Sequence, residues 1–501
     1  MKLPPLNAVK FDALDNHSKQ QIHLARETLV NQRKAFNAQP YPSEKLRKQQ
    51  IKALHRALIK HKDKLVKAIE ADFGHRSTDE TLLTDILLSV LDIKYNLKHL
   101  RQWMRPQKCG VNWLFQPALA RIMYQPLGVV GIISPWNFPV YLLISPLVAA
   151  IAAGNRVILK PSEKSPYCNR VLQEIISEAF LKDEVTMIEG GPEVSQAFSE
   201  LPFDHLMFTG SPKVGRKIMQ TAARNLTPVT LELGGKSPVI IAPDMPINSA
   251  VERIIFGKCV NSGQHCVAPD YVYCPENKLD ELISEFKRQF TQLYPDIYNG
   301  DYTGIVSDEH FGRLKHLLKD AKDKGATAIP LAPTEPKSTT ARNLTTVDTP
   351  KTTIQQRIMP LTLLTHIQTN MSVMKEEIFG PILPIIIYKN LHQIIDSIQA
   401  SPRPLAMYIL SKKNAFAQQI MYATHSGGVS INDAGWQVAQ NDLPFGGIGN
   451  SGMGSYHGHQ GFLTFSHGKS IYRRGWFNTA KLMFPPYRNF IHRFLYRWYL
   501  K

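Results

Sequence analysis

The sequence predicts an α/β fold built on parallel sheet, and three observations lead there. From residue 120 onward, short β-branched apolar runs alternate with amphipathic segments, the pattern of strands joined by crossover helices. Before them, residues 18–105 place apolar side chains at three- and four-residue spacing, as in "LRKQQIKALHRALIKHKDKLVKAIEADF", which reads as helix with a solvated lysine face. A chain of 501 residues, 43% of them hydrophobic, can bury the cores of two to four domains or of one large two-lobed enzyme.

Taken in order, the opening "MKLPPLNAVKFDALDNHSKQQ" lacks a continuous apolar run and is not expected to be a secretory signal. "RIMYQPLGVVGIIS" reads as strand, and "FPVYLLISPLVAAIAAG" at 138–154 as a buried helix after a turn, being too short and too interrupted for a membrane span. "NRVILKP" is expected as strand, "SPYCNRVLQEIISEAF" as helix, "EVTMIEG" and "DHLMFTG" as strands, "SPKVGRKIMQTAARN" as helix and "PVTLELGG" as strand. A second alternating region begins at "KSPVIIAPD" and runs through "AVERIIFGKCVNSG", "YVYCPE", "KLDELISEFKRQF" and "PILPIIIY". The polar, Pro/Thr-rich stretch at 331–353 is read as a surface excursion.

Five cysteines, an odd number without regular spacing, do not make a secreted disulfide scaffold, so reduced thiols and a cytoplasmic setting are expected. The net charge of +18 raises nucleic acid or anionic lipid as partners. Part of it is local: no acidic residue follows Asp442, whereas Lys469, Arg473, Arg474, Lys481, Arg488, Arg493, Arg497 and Lys501 do. Solvated surface accounts for the rest, and no nucleic acid partner is expected.

The string "GGIGNSG" matches the G-x-G-x-x-G dinucleotide fingerprint through Gly447, Gly449 and Gly452, yet no acidic residue follows to hold a ribose. It is read instead as a turn near the active site. A better cofactor loop is "HLMFTGSPKVGRKI", where Ser211 can cap a helix begun by Pro212, and Gly210 and Gly215 let the backbone approach a nucleotide phosphate. In "ILKPSEKSP", Lys160 and Glu163 stand just past a strand end, where ammonium and carboxylate can bind two ribose hydroxyls; a surface ion pair is the plainer alternative.

Cys259, Cys266 and Cys274 lack the paired CxxC of a zinc knuckle, and the His310/His316 pair lies too far on, so no metal site is expected. Cys259 and Cys274 read as core thiols, the first on a helix and the second at a strand end. Cys266 follows the helix-breaking Gly263-Gln264 and precedes Pro269, which puts it on a turn open to substrate. Glu232, at a strand end before Gly-Gly, and Asn137, on a turn in "SPWNFP", are its candidate base and oxyanion donor, although spacing does not show that the three meet.

The motifs "SPWNFP", "LKPSE", "FTGSPKVG", "LELGGKSP", "SGQHCVAPDYVYC", "EEIFGPILPI" and "LPFGGIGNSGMGSYHG" occur in one order over roughly residues 45–470, and together the chain resembles the NAD(P)-dependent aldehyde dehydrogenase superfamily. "CVAPDYV", "SGMGSYHG", "TFSH" and "FPPY" resemble its class 3 branch, and "VAQNDLPFGG" is similar to bacterial coniferyl aldehyde dehydrogenases. The resemblance implies the aldehyde dehydrogenase fold: a Rossmann-like cofactor domain, a second α/β catalytic domain and a small β bridging and oligomerisation element. Its expected parts are an N-terminal helical segment of the cofactor domain at 1–106, bridging strands at 107–127, the cofactor-binding domain at 128–233, the catalytic domain at 234–432, a return to the bridging element at 433–474, and a basic aromatic tail at 475–501.

It further implies that Cys266 attacks an aldehyde to give a thiohemiacetal, with Asn137 and the Cys266 amide as oxyanion hole, and that Glu232 activates the water that hydrolyses the resulting thioester. Glu377 resembles the carboxylate that holds the nicotinamide ribose, with Phe379 beside it and Trp136 on the same cofactor. NAD is the expected cofactor: Glu163 opposes a 2′-phosphate, and NADP remains open because Lys160 can compensate. A homodimer is expected from the class resemblance, with an aryl-propenal as substrate and fatty, medium-chain or semialdehyde substrates as alternatives.

His265 stands where a small or hydroxyl residue is more usual in that resemblance, and packing or tunnel shape is favoured over assistance to the thiolate. Trp436 in "NDAGWQVAQ" is expected near the substrate tunnel. The tail "FPPYRNFIHRFLYRWYLK" interleaves aromatic and basic residues and suits an interfacial helix that lies on an anionic membrane, covers the substrate entrance or packs at a dimer interface. Two rival classes are a lipid- or nucleic-acid-binding protein with a vestigial core, which forms no NADH, and a cysteine hydrolase, which turns over without nicotinamide.

Overall fold

The computed structural model describes residues 14–298, 300–332 and 357–500, so residues 1–13 and most of the excursion at 331–353 lie outside the described residues. The N-terminal helices are Asn16–Ala38, Glu44–Phe73 and Leu88–Trp103. Asp15 and Ser43 cap the first two by accepting from the Ser18 and Leu46 amides. Gly74, in a left-handed conformation, ends the second. Its apolar stripe, Ile51, Leu54, Leu58, Leu65 and Ile69, is buried in the core shared with helix Pro166–Ala179.

The expected strand "RIMYQPLGVVGIIS" is two strands, Ala118–Pro126 and Val129–Ile133. The break falls at Leu127-Gly128, where both amides donate to the Asn155 Oδ1 at 2.8 and 3.0 Å. Gly128 has φ 143°, and a Cβ there would collide with the Asp204 side chain. The two strands consequently serve different sheets.

Val129–Ile133 lies inside a six-stranded sheet whose order is Gly452–Met453, Val229–Leu233, His205–Gly210, Val129–Ile133, Arg156–Lys160, Val185–Met187. All pairings are parallel except the first. Strand order reverses at Val129–Ile133, which makes the carboxyl end of that strand and of His205–Gly210 the switch-point crevice where ligands bind in open α/β sheets. Helix Tyr141–Ala153 is buried along its whole length despite Pro146, because all but a few of its side chains are apolar and sheet and helices cover it.

A seven-stranded sheet has the order Thr327–Pro330, Thr362–Thr365, Ile382–Tyr388, Pro269–Pro275, Ser237–Ile241, Ala406–Leu410, Gly428–Ile431. Only the Thr327–Pro330 edge strand is antiparallel. Helices Ile247–Cys259 and Leu279–Leu293 pack together beside it around Val251, Ile255, Phe286 and Phe290. The third sheet is antiparallel: Ala118–Pro126 pairs with Gln107–Cys109 on one side and, from Pro126↔Ser466 to Ala118↔Arg474, with Ser466–Arg474 on the other.

Candidate active site

The site lies where the edges of the two parallel sheets meet. The carboxyl ends of the neighbouring strands at 129–133, 156–160, 205–210 and 229–233 lead into Trp136-Asn137, Lys160–Glu163, Gly210-Ser211 and Glu232. At the amino ends of the strands at 269–275 and 382–388 stand Cys266 and Glu377–Phe379. The edges touch: the Asn261 side chain donates to the Asn137 carbonyl at 2.9 Å, and a Cβ on Gly234 would collide with the Glu377 carboxylate.

Cys266 sits on a turn built by the residues before it. Helix Ile247–Cys259 is followed by Asn261, Ser262 and Gly263, all with left-handed φ of 50°, 50° and 71°. Gly263 is required there, because a Cβ would come within 2.7 Å of the Gly380 carbonyl. Ser262 donates to the Thr303 carbonyl, and Gln264 donates to Asn261 and Gly304 carbonyls at 3.0 Å each while accepting from the Val306 amide at 3.0 Å. The Ser-Gly-Gln run thus anchors the loop and leaves Cys266 half-buried at its crest.

His265 is a packing residue. Its Nε2 donates to the Gly257 carbonyl at 2.9 Å, which fixes the tautomer, and its ring meets Phe138 edge-on at 6.1 Å. Burial pushes its pKa down to about 4, so the ring is neutral and a weak base, held by the backbone. Trp436 lies flat on Phe256 at 5.0 Å and keeps 37% exposure. Next to it, Gln437 donates to Tyr408 at 2.9 Å and Tyr408 donates to the Val267 carbonyl, linking that turn to the cysteine loop.

Glu232 is 3% exposed and neither carboxylate oxygen has a hydrogen-bond partner among the described residues, so burial, nearly complete rather than partial, holds its pKa well above the ordinary value. Its strand pairs Glu232 with Gly452, and the Leu233 amide donates to the Ser451 carbonyl at 3.0 Å; the "GGIGNSG" turn is therefore a brace for the Glu232 strand. Glu377 is raised to about 8, first by burial and then by Asp270. The Cys266 thiol is pushed up to about 12, first by burial and then by the charges of Glu377 and Glu232, while the Cys266 and Val267 amides pull it down. Thiol and both carboxylates therefore share one poorly solvated space.

Asn137 is 3% exposed on the bend between strand Val129–Ile133 and helix Tyr141–Ala153. Its carbonyl is gripped twice, by Asn261 and by Arg76 Nη1 at 3.2 Å, and its side-chain amide has no partner among the described residues. Arg76 is fully buried against Asp85 at 3.0 Å and Glu80 at 3.4 Å. Asp85 also accepts from the Val140 and Tyr141 amides at 3.1 Å, capping the helix after Asn137, while Glu80 accepts from the Asn261 amide at 3.1 Å and from Thr303 at 2.9 Å. Sequence reading missed this clamp, and it also missed Asp270, which accepts from the Ile378 amide at 2.8 Å and pairs with Lys236 behind Glu377.

The cofactor candidates have distinct structural settings. Ser211 caps helix Pro212–Ala222 through the Val214 amide at 3.4 Å, leaving an exposed helix N-terminus next to Gly210. Gly215, in the first turn of that helix, is buried where a Cβ would come within 2.6 Å of Leu233 Cδ2, so it serves close helix–strand packing. Gly210 makes room for the Phe208 ring, since a Cβ there would come within 2.5 Å of Phe208 Cζ. Lys160 is buried, donates to the Pro161 carbonyl at 2.7 Å and is lowered to about 8 by burial, with Glu163 exposed nearby. Trp136 meets Phe379 edge-on at 5.5 Å and His310 at 5.0 Å. A dinucleotide fits these residues: an open helix N-terminus for phosphate, Lys160 with donors to spare, and the Glu232 carboxylate orphaned at the adjoining edge.

The sequence model of the Aldehyde dehydrogenase family matches residues 5–471. The chain is 45% identical over 485 residues to a Pseudomonas aeruginosa protein named "Probable coniferyl aldehyde dehydrogenase", covering 97% of this chain and 98% of that one. It is 42% identical over 440 residues to the coniferyl aldehyde dehydrogenase of Pseudomonas sp. (strain HR199), covering 87% and 88%. A solved structure described as the substrate-bound state of Staphylococcus aureus AldH matches with a TM-score of 0.86 at 35% identity, over 95% of this chain and 99% of that one.

Proposed function

We propose, from the premise that this chain belongs to the aldehyde dehydrogenase family, that it oxidises an aryl-propenal of the coniferyl aldehyde type to the carboxylic acid with NAD, NADP being tolerated. The observation that supports the chemistry most strongly is the orphaned, buried Glu232 carboxylate beside a half-buried thiol on a rigid turn.

In this reading the Cys266 thiol gives up its proton to water, its sulfur bonds to the aldehyde carbon, and the C=O π pair becomes an oxyanion held by the Asn137 amide and the Cys266 N–H. Such a donor contributes about 3–4 kcal/mol at comparable centres. When bound, an oxidised nicotinamide would supply the hydride acceptor for the hydrogen on the former aldehyde carbon. The thioester left on Cys266 is then opened by water whose proton Glu232 takes, releasing the acid and freeing the thiol. Poor solvation suits Glu232 to the task by bringing its pKa toward the working pH. Lys160, Glu163, Gly210 and Ser211 would hold the nucleotide end, and Glu377, Phe379 and Trp136 the nicotinamide end.

The division into a cofactor-binding part at 128–233 and a catalytic part at 234–432 is supported by the sheet that each holds. We read the enzyme as a homodimer, as the family is commonly oligomeric, working in the cytoplasm with its five cysteines free. Among the described residues no helix is long and apolar enough to cross a membrane.

The test is a panel of coniferyl aldehyde, decanal and succinic semialdehyde, each followed by NADH absorbance. We expect kcat/KM for coniferyl aldehyde to exceed the others by about tenfold or more. A tenfold preference for decanal or the semialdehyde contradicts the substrate assignment while leaving the reaction class intact.

A further inference from the structure

We propose that the tail at 475–500 is a docking surface for an anionic phospholipid bilayer, on which the enzyme rests peripherally. The tail is ordered on the body of the protein: Thr479 donates to the Gln116 carbonyl at 2.8 Å, and Arg474 donates to Asn478 at 2.7 Å. Its helix, Phe490–Tyr499, is capped by Asn489 through the His492 amide at 2.9 Å. His492 turns inward, 4% exposed, with its ring beside the Met483 carbonyl at 3.2 Å.

The orientation of this helix is the reverse of an ordinary surface helix. With His492 inside and Ile491 and Leu495 half-buried, the opposite face shows solvent Phe490 (81% exposed), Phe494 and Trp498 (72%), the last two stacked at 6.2 Å. Trp476 is fully exposed in the same segment. Arg493 and Arg497 flank the rings on the outward side, and neither they nor Arg488 has an acidic partner among the described residues. Rings projecting outward between unpaired guanidinium groups fit the headgroup–acyl boundary, where apolar faces are buried and arginines meet lipid phosphates.

Charge decides against tail-to-tail contact between two copies of the chain. No acidic residue follows Asp442, so tail against tail sets cations on cations. Duplex nucleic acid would use the guanidinium groups but leave an outward aromatic ridge along one helix face without a partner. The helix has ten residues, which suits lying in the interface rather than crossing it.

The experiment is co-sedimentation of the full-length enzyme with vesicles of phosphatidylcholine alone or of phosphatidylcholine with roughly one third phosphatidylglycerol, which gives the surface a negative potential. The wild type is expected to pellet with the anionic vesicles only and to be released by salt. Each arginine neutralised should weaken partitioning about fivefold, so the triple change Arg488→Gln, Arg493→Gln, Arg497→Gln should weaken it roughly a hundredfold. The triple change Phe490→Ser, Phe494→Ser, Trp498→Ser should abolish pelleting, with oxidation of a water-soluble aldehyde unchanged in both variants. Failure of the wild type to pellet, or pelleting that survives either variant, overturns the proposal. Loss of the dimer in the aromatic variant also overturns it, by assigning the face to the subunit interface. Should a variant not fold, quenching of wild-type tryptophan fluorescence by brominated anionic lipid supports the proposal, and its absence overturns it.

Discussion

At Cys266 the thiol and the carboxylates of Glu377 and Glu232 compete for one poorly solvated space, and each raises the pKa of the thiol when it ionises. Glu377 titrates near 8, so above that pH its negative charge opposes the thiolate. Glu377→Gln removes that charge, and the sign follows: the thiol pKa falls. Alkylation of Cys266 by iodoacetamide at pH 9, followed by peptide mass spectrometry, should be several-fold faster in the variant, since one pKa unit corresponds to about tenfold in thiolate. A rate equal to or below wild type would mean that the two groups do not interact. Cys266, Glu232 and Asn137 were legible as candidates because each lies in a compact motif next to a turn. Packing was also the favoured reading of His265, but its anchor was not legible, because the Gly257 carbonyl is a backbone group without a sequence signature.

At the scale of elements, the site depends on a buried clamp that ties three loops together. Arg76 holds the Asn137 carbonyl, Asp85 caps the helix after it, and Glu80 fixes the Asn261 amide at the start of the cysteine loop. Arg76→Met leaves two buried carboxylates unpaired and should lower stability by roughly 3–5 kcal/mol, read as a lower urea midpoint. Adding Asp85→Asn should recover part of that loss, and a change below about 1 kcal/mol in the single variant would show that the clamp is solvated. None of this was visible in the sequence, because Glu80 reaches a residue 181 positions away and three polar side chains in a helical run read as ordinary surface. Alternation of strand and helix was readable from 120 to 293 because most of the runs are bounded by Gly, Pro or Asn. It failed at Leu127-Gly128, where a close backbone approach to Asp204 and Asn155 divides one apolar run, and the packing of Gly215 against Leu233 was likewise not visible.

For the whole molecule, the arrangement brings the carboxyl edge of one parallel sheet to the amino edge of another, so that neither sheet holds the site alone. Glu232 and Asn137 belong to the first, Cys266 and Glu377 to the second, and the Asn261–Asn137 hydrogen bond spans them. The central claim is that Cys266 becomes acylated and Glu232 supports its release. It is tested most directly by mixing Glu232→Gln enzyme with coniferyl aldehyde and NAD, quenching in acid, and measuring intact and peptide masses. The account predicts one acyl group per chain, on the peptide containing Cys266, with a burst of NADH of about one equivalent and slow turnover after it. An unmodified chain, or an acyl group on Cys109 or another residue, with turnover undiminished from wild type, would contradict it.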